Sequence, residues 1–95
     1  MLNNNLEIEL NKQKILPILN TTELNNDINR LDVFLSNNSN IKNIEITLRQ
    51  DNSFEIAKEL NKNFTYINFG LGSILSEGDY LKGIDAGFHF FVSQE

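Results

Sequence analysis

A chain of 95 residues predicts a single domain over residues 1–95, and its 33 Leu, Ile, Val and Phe residues can form one core without a metal or a disulfide. The net charge of −5 and the scattering of its eight basic residues argue against nucleic acid and anionic membranes, which need clustered Lys and Arg. The chain has no Cys, no signal-peptide pattern and no run near ~18 apolar residues, which predicts a cytoplasmic protein that does not span a membrane.

Two apolar segments near the N-terminus predict a hairpin. Leu6, Ile8 and Leu10 alternate with polar residues, which is the period-two pattern of a half-buried strand. A polar link then leads to the run ILPIL at 15–19. Because Pro17 has no backbone N–H to donate, it confines this run to a sheet edge or to the end of a strand.

Two longer segments predict amphipathic helices. Thr21 or Thr22 can cap the first helix, and Asn52 together with Glu55, or alternatively Ser53, can cap the second. In both segments the apolar residues recur at spacings of three and four, which places them on one helical face. These residues are Leu24, Ile28, Leu31 and Leu35, with Phe34 beside them, in the first helix, and Phe54, Ala57, Leu60 and Phe64 in the second.

Alternating apolar residues predict three further strands, around 44–48, 67–71 and 87–93. A weak repeat of 22 residues aligns Ile44 with Tyr66 and with Phe88, each within a predicted strand, although coincidence among short strands explains the repeat equally well. Strand–helix units at this spacing imply parallel strands. We therefore predict an α/β fold with a mixed or mostly parallel sheet of four or five strands. Two to three helices should cover mainly one face and leave the other face wetter.

The Gly-rich segment after the third of these strands allows two interpretations. A short helix over 73–81 would place Gly70, Gly72 and Ser73 in a strand-to-helix turn, where backbone N–H groups can face an anion. A plain tight turn is the alternative, because the segment has neither the third Gly of a dinucleotide-binding loop nor the Lys of a phosphate-binding loop.

Residues capable of catalysis or metal binding are few. His89 is the only His, and a zinc site needs three or four ligands, so we expect a strand His packed among Phe side chains and no metal or cofactor. The carboxylate pairs Glu55 with Glu59 and Glu77 with Asp79 fall on predicted solvent faces, where acid–base chemistry is disfavoured. The sequence therefore predicts no catalytic residues.

Two stretches, IEITLRQDNSFEIAKEL at 44–60 and YLKGIDAGFHFF at 80–91, together with the order of the predicted elements, resemble the STAS domain of bacterial anti-sigma-factor antagonists. The resemblance implies that Ser53, at the start of a helix and facing water, is phosphorylated by a partner kinase. The chain departs from the family pattern at Thr47, where the family has Asp, and at Phe54, where it has Gly. The alternative is that Ser53 only caps its helix.

The function that we predict is a small acidic protein-binding module that regulates or inhibits a macromolecular partner, as immunity proteins, antitoxins and phage inhibitors do. Glu77, Asp79 and Asp85 concentrate negative charge in the second half of the chain and are the expected partner surface. The alternative function is a small-molecule or nucleotide-binding protein that uses the turn at 70–73.

Overall fold

The computed structural model describes residues 15–49, 51–74 and 76–93, so the predicted strand at 6–10 lies outside the described residues. Strands and helices alternate throughout the described part of the chain. The strands are β1 (Ile18–Asn20), β2 (Asn43–Thr47), β3 (Asn68–Ile74) and β4 (Phe90–Ser93), and the helices are α1 (Leu24–Asn37), α2 (Ser53–Asn63) and α3 (Glu77–Asp85).

The four strands form one sheet in the order β1-β2-β3-β4, and every neighbouring pair is parallel. The predicted α/β fold is therefore confirmed. Right-handed connections between consecutive parallel neighbours place all the helices on the same face of a sheet. Pro17 directly precedes β1, which is the end strand among the described residues, so its predicted position is also confirmed.

The core lies between the sheet and the helices. Ile44 of β2 pairs with Phe69 of β3, and Ile46 pairs with Leu71, so these four side chains share the face that the helices cover. Most of the predicted helical stripes are confirmed, although in α2 Phe54 is only half-buried and Ile56 is buried instead. The fully or nearly fully buried apolar residues are Leu19, Leu31, Leu35, Ile41, Ile44, Ile46, Ile56, Ala57, Leu60, Phe64, Ile67, Phe69, Leu71, Phe88 and Phe90.

The opposite face of the sheet is less exposed to solvent than its polar residues predict. Asn43, Glu45 and Thr47 alternate with the core residues of β2, yet all three are buried. Gly72 contributes to this burial, because a Cβ at that position would collide with the Glu45 carboxylate. Because β3 has no side chain at Gly72, the Glu45 side chain can lie flat on the sheet.

Strand β3 is longer than predicted, and α3 begins later. The strand continues to Ile74 through an irregularity after Gly72, where Ser73 has a φ of 60°. The helix therefore begins at Glu77, capped by Ser76, whose Oγ accepts a hydrogen bond from the backbone N–H of Asp79 at 3.1 Å. A short helix in this segment is confirmed, but its predicted bounds of 73–81 are wrong, because Ser73 and Ile74 belong to β3 and the helix continues to Asp85.

The 22-residue repeat does not describe the strand register. Tyr66 precedes β3 and Phe88 precedes β4, and the actual partner of Ile44 is Phe69, 25 residues further along the chain. The parallel pairing that the repeat suggested is nevertheless the pairing observed. The helix caps also differ in part: Glu23 rather than Thr21 or Thr22 is the N-cap of α1. Asn52 is the N-cap of α2 in position, but its side chain makes no capping hydrogen bond, so the predicted capping box does not form.

Candidate functional site

Helix α3 approaches the sheet through a glycine. Gly83 is the buried residue of this helix, and a Cβ there would collide with the Phe91 ring and meet Leu71 Cδ1 at 2.9 Å. The close approach of α3 to β3 and β4 therefore requires that this position carry no side chain. The side of α3 that faces the sheet thus presents a glycine, whereas the corresponding sides of α1 and α2 present Leu and Ile.

The large apolar side chains of α3 are exposed at its surface. Leu81 is 56% exposed, Ile84 is 48% exposed and Tyr80 is 37% exposed. Residues at these spacings lie within about 100° of one another around a helix, so they form one contiguous surface. Tyr80 also contacts Phe91 edge to face, with 4.8 Å between ring centroids, which fixes one side of this surface. We call Tyr80, Leu81 and Ile84 the α3 patch.

Two of the three predicted acidic surface residues border the α3 patch. Glu77 lies four residues before Leu81 and Asp85 lies four residues after it, so both are neighbours of Leu81 along the helix, and both are exposed. Asp79 lies four residues before Gly83, which places it on the inner side of the helix, and it is half-buried. The predicted acidic surface therefore consists of Glu77 and Asp85 around an apolar centre.

A groove of about 440 Å³ lies beside the patch, between α2 and α3. The Nζ atoms of Lys58 and Lys82 lie 5.6 Å and 5.3 Å from the centroid of the Phe54 ring. Lys58 also forms an ion pair with Glu55 at 3.2 Å, whereas Lys82 forms no ion pair with a residue that the structure describes. The groove is lined by Phe54, Glu55, Lys58, Lys82, Asp85 and Ala86.

A second groove, of about 550 Å³, follows the outer side of α1. Val33 is 64% exposed there, but the remaining lining is polar except for the half-buried Phe34. A single exposed apolar residue is ordinary on a protein surface, whereas a contiguous set is not. The lining residues are Asn29, Arg30, Val33, Phe34, Asn37 and Asn38.

Ser53 does not face water, contrary to the expectation for a phosphorylation site or an exposed cap. It is the first residue of α2, is fully buried, and its Oγ lies 2.8 Å from Thr21 Oγ1 in a buried hydrogen bond. The reason is topological: in a parallel sheet the turn after β1 and the start of α2 meet at the same edge. A phosphate on Ser53 therefore requires the turn at 20–23 to move.

Asp27 is a structural residue that the sequence analysis missed. It is fully buried in α1, where its carboxylate accepts hydrogen bonds from the Thr22 backbone N–H at 2.9 Å and from Thr22 Oγ1 at 2.8 Å. Arg30 Nη1 donates to the same carboxylate at 3.0 Å and to the Asn20 carbonyl at 3.4 Å. The available signal was a Thr just before the helix followed by an Asp five residues later. This network holds the turn that covers Ser53.

The turn predicted to bind an anion is not a turn. Gly70 and Gly72 are buried within β3, and the Phe90 ring lies where a Cβ of Gly70 would be. Ser73 follows them at the irregular end of the same strand. Among the described strands the consecutive order also lacks the reversal at which parallel sheets open a ligand crevice.

The titratable residues of the described segments do not cluster as metal ligands. His89 is exposed and precedes β4, where its backbone N–H donates to the Phe69 carbonyl at 2.9 Å, so the prediction that it packs in a strand among Phe residues is wrong. Within the described ranges no three His, Asp or Glu side chains converge as metal ligands. None of the helices in those ranges combines the length and apolar character needed to cross a membrane.

The surroundings of Glu45 shift the pKa of its carboxyl group. Burial raises the pKa of its carboxyl above the ordinary value, and a hydrogen bond with Thr47 partly opposes that rise. Both residues lie on the face of the sheet opposite to the helices. Glu55 and Glu59, in contrast, form surface ion pairs with Lys58 and Lys62, as expected for solvent-facing carboxylates.

No protein-family model, curated protein or solved structure matches this chain.

Proposed function

We propose that the protein is a non-catalytic binding module that regulates or inhibits a protein partner, and that the α3 patch is its docking surface. The observation that carries this proposal is the reversed polarity of α3, which buries Gly83 and exposes Leu81 and Ile84. A helix that only served the fold would turn its large apolar side chains toward the sheet. Covering these side chains on binding would release apolar surface from water at about 25 cal/mol per Å².

The charge around the patch favours a basic partner. Glu77 and Asp85 are exposed beside Leu81, and the whole chain has a net charge of −5. A second copy of the chain would bring these carboxylates close to their own counterparts, and like charges disfavour such an interface. We therefore propose a protein that presents an apolar patch with Lys or Arg residues at its rim. Such rim charges accelerate association and make it depend on salt.

The size of the patch favours a regulated and reversible complex. A helix of nine residues is about 13 Å long, which is too short to supply the ~800 Å² per partner of a standard interface. Contacts beyond the helix must contribute, or the complex is transient. Either situation suits a regulator that exchanges partners.

The resemblance to the STAS domain is compatible with this proposal. From the second predicted strand onward, the observed order of elements is the order on which the resemblance was based. Within that hypothesis, a kinase would reach Ser53 only after the Thr21 hydroxyl and its turn had moved. The nucleotide-binding alternative loses its support, because Gly70 and Gly72 are internal to β3.

The first experiment locates the partner surface by photo-crosslinking in the native cell. A photoreactive phenylalanine analogue replaces Ile84 in one variant and Val33 in another, so that α3 is compared with the outer groove of α1. We expect a discrete covalent adduct from position 84 and none from position 33. The crosslinked site on the partner should be apolar and bordered by Lys or Arg residues.

The second experiment measures affinity with the purified partner. The double variant Leu81→Asp, Ile84→Asp should bind at least about tenfold more weakly, because charged groups replace the apolar contact. Replacing Glu77 and Asp85 by Lys should slow association at low salt. An adduct at position 33 alone, together with normal binding by the double variant, would move the docking surface to α1.

A further inference from the structure

The groove between α2 and α3 contains a cation, Lys82, that no described residue pairs with. Lys58 is already held by Glu55 at 3.2 Å, but Lys82 makes no ion pair with a described residue. Its ammonium group instead lies 5.3 Å from the centroid of the Phe54 ring. An ammonium group over an aromatic face is attracted to the ring quadrupole, which holds Lys82 beside Phe54 at the groove.

We propose that this groove binds a single carboxylate from an acidic residue of the protein partner, with Lys82 as the cation that it meets. Phe54 and Ala86 are apolar lining residues of the groove, against which the methylene groups of a glutamate side chain could pack. The carboxylate would then form a charge-assisted hydrogen bond with the Lys82 ammonium group.

The charges that line the groove favour one carboxylate over a more highly charged anion. The groove contains two lysines, Lys58 and Lys82, and two carboxylates, Glu55 and Asp85, so its formal charge is zero. The single positive charge of Lys82 can neutralise one carboxylate ligand. A phosphate dianion would keep a second negative charge close to Glu55 and Asp85. We therefore expect a glutamate or aspartate, presented by a peptide segment, as the ligand.

This inference rests on the proposed function, and it adds specificity to it. The α3 patch alone requires an apolar surface with a basic rim, and many proteins offer one. A carboxylate that must simultaneously reach Lys82 fixes the orientation of the partner on α3, because Lys82 directly follows Leu81 on the same helix. A partner without a carboxylate at this position would make no ionic contact with Lys82 and would bind less well.

The test is a titration of the full chain, labelled with ¹⁵N, with a short acetylated and amidated peptide that contains two glutamates around one leucine. We expect the backbone amide signals of Phe54, Lys58, Lys82 and Ala86 to shift. The same peptide with glutamines in place of glutamates should produce no shifts at these positions. Added salt should weaken the binding of the glutamate peptide, since the contact is ionic.

Three variants separate a specific site from general charge attraction. Lys82→Met should weaken binding of the glutamate peptide about fivefold, the range of one well-placed surface ion pair, and Lys82→Arg should retain it. Lys62→Met is the matched control, because Lys62 lies on α2 away from Phe54 and pairs with Glu59. Equal shifts with the glutamine peptide, unchanged binding by Lys82→Met, or an equal loss by Lys62→Met would each overturn the proposal.

The same variants distinguish failure of this inference from failure of the proposed function. If Leu81→Asp, Ile84→Asp loses the partner while Lys82→Met binds both the partner and the glutamate peptide normally, the docking surface stands and the carboxylate site is rejected. If Lys82→Met loses the glutamate peptide but the double variant keeps the partner, the carboxylate site stands and the docking surface is rejected.

Discussion

Helices α2 and α3 cover the same sheet, yet they are built in opposite ways. Helix α2 buries Ile56, Ala57 and Leu60 against the core. Helix α3 buries Gly83, and the exposed side chains of this helix include Leu81 and Ile84. The difference shows that α2 is stabilised by burying its own apolar side chains. Helix α3 instead approaches the sheet closely at a glycine and leaves large apolar side chains unburied. Its large apolar residues remain available to another molecule.

The largest expected effect is on the stability of the core. Leu60 is 0% exposed, so Leu60→Ala should leave a cavity and lower the free energy of unfolding by about 2–5 kcal/mol. Leu81→Ala, on α3, should change that free energy by no more than about 0.5 kcal/mol because Leu81 is exposed. Urea unfolding of the two variants is the measurement. Similar losses would mean that the two helices do not differ in the way described.

Two glycines of α3 should respond in opposite directions to the same substitution. Gly83→Ala should destabilise the protein by about 1–3 kcal/mol, because its Cβ would displace Phe91 and Leu71. Gly78→Ala should stabilise it by about 0.5–1 kcal/mol, since the nearest atom to its Cβ would be Ser76 Oγ at 3.7 Å and alanine favours the helix. Thermal unfolding of both variants tests the close approach of α3. A stabilising Gly83→Ala would contradict it.

The start of α2 should depend on a buried hydroxyl pair. Ser53→Ala removes the hydrogen bond with Thr21 and should cost about 1–3 kcal/mol, the range for a buried polar group left unsatisfied. Ser53→Asp should be worse, because it forces a carboxylate into a buried site. Chemical denaturation of both variants tests this order. If Ser53→Asp were as stable as the unmodified protein, Ser53 would have to be accessible to water.

The helical stripes, the parallel sheet and the acidic border of α3 could be predicted from the sequence, because periodicity and charge report them directly. The orientation of α3 could not. A pattern such as Tyr80, Leu81 and Ile84 normally indicates a buried face, and nothing local shows that Gly83 takes that place. The role of Gly72 was misread for a related reason. Glycine signals a turn in a sequence, whereas here it makes room for a side chain from the neighbouring strand.

The smallest expected effect concerns the opposite face of the sheet. Because burial raises the pKa of Glu45, the folded state holds that proton more tightly than the unfolded state. The stability contributed by this proton is fully present below the ordinary value of 4.5 and is lost as the pH rises through the raised value. Glu45→Gln should therefore unfold at higher urea concentration than the unmodified protein at pH 7, and the difference should shrink toward pH 4. A variant that is less stable at pH 7 would contradict the cost assigned to the buried charge.

The most direct test of the central claim compares partner affinity with stability in one variant. Leu81→Asp, Ile84→Asp changes two exposed residues, so its unfolding midpoint should remain close to that of the unmodified protein. Its affinity for the crosslinked partner should fall at least about tenfold, while Val33→Asp, on α1, should bind normally. Normal partner binding by the double variant would contradict the claim, and so would a large loss of stability, because it would show that the α3 patch serves the fold.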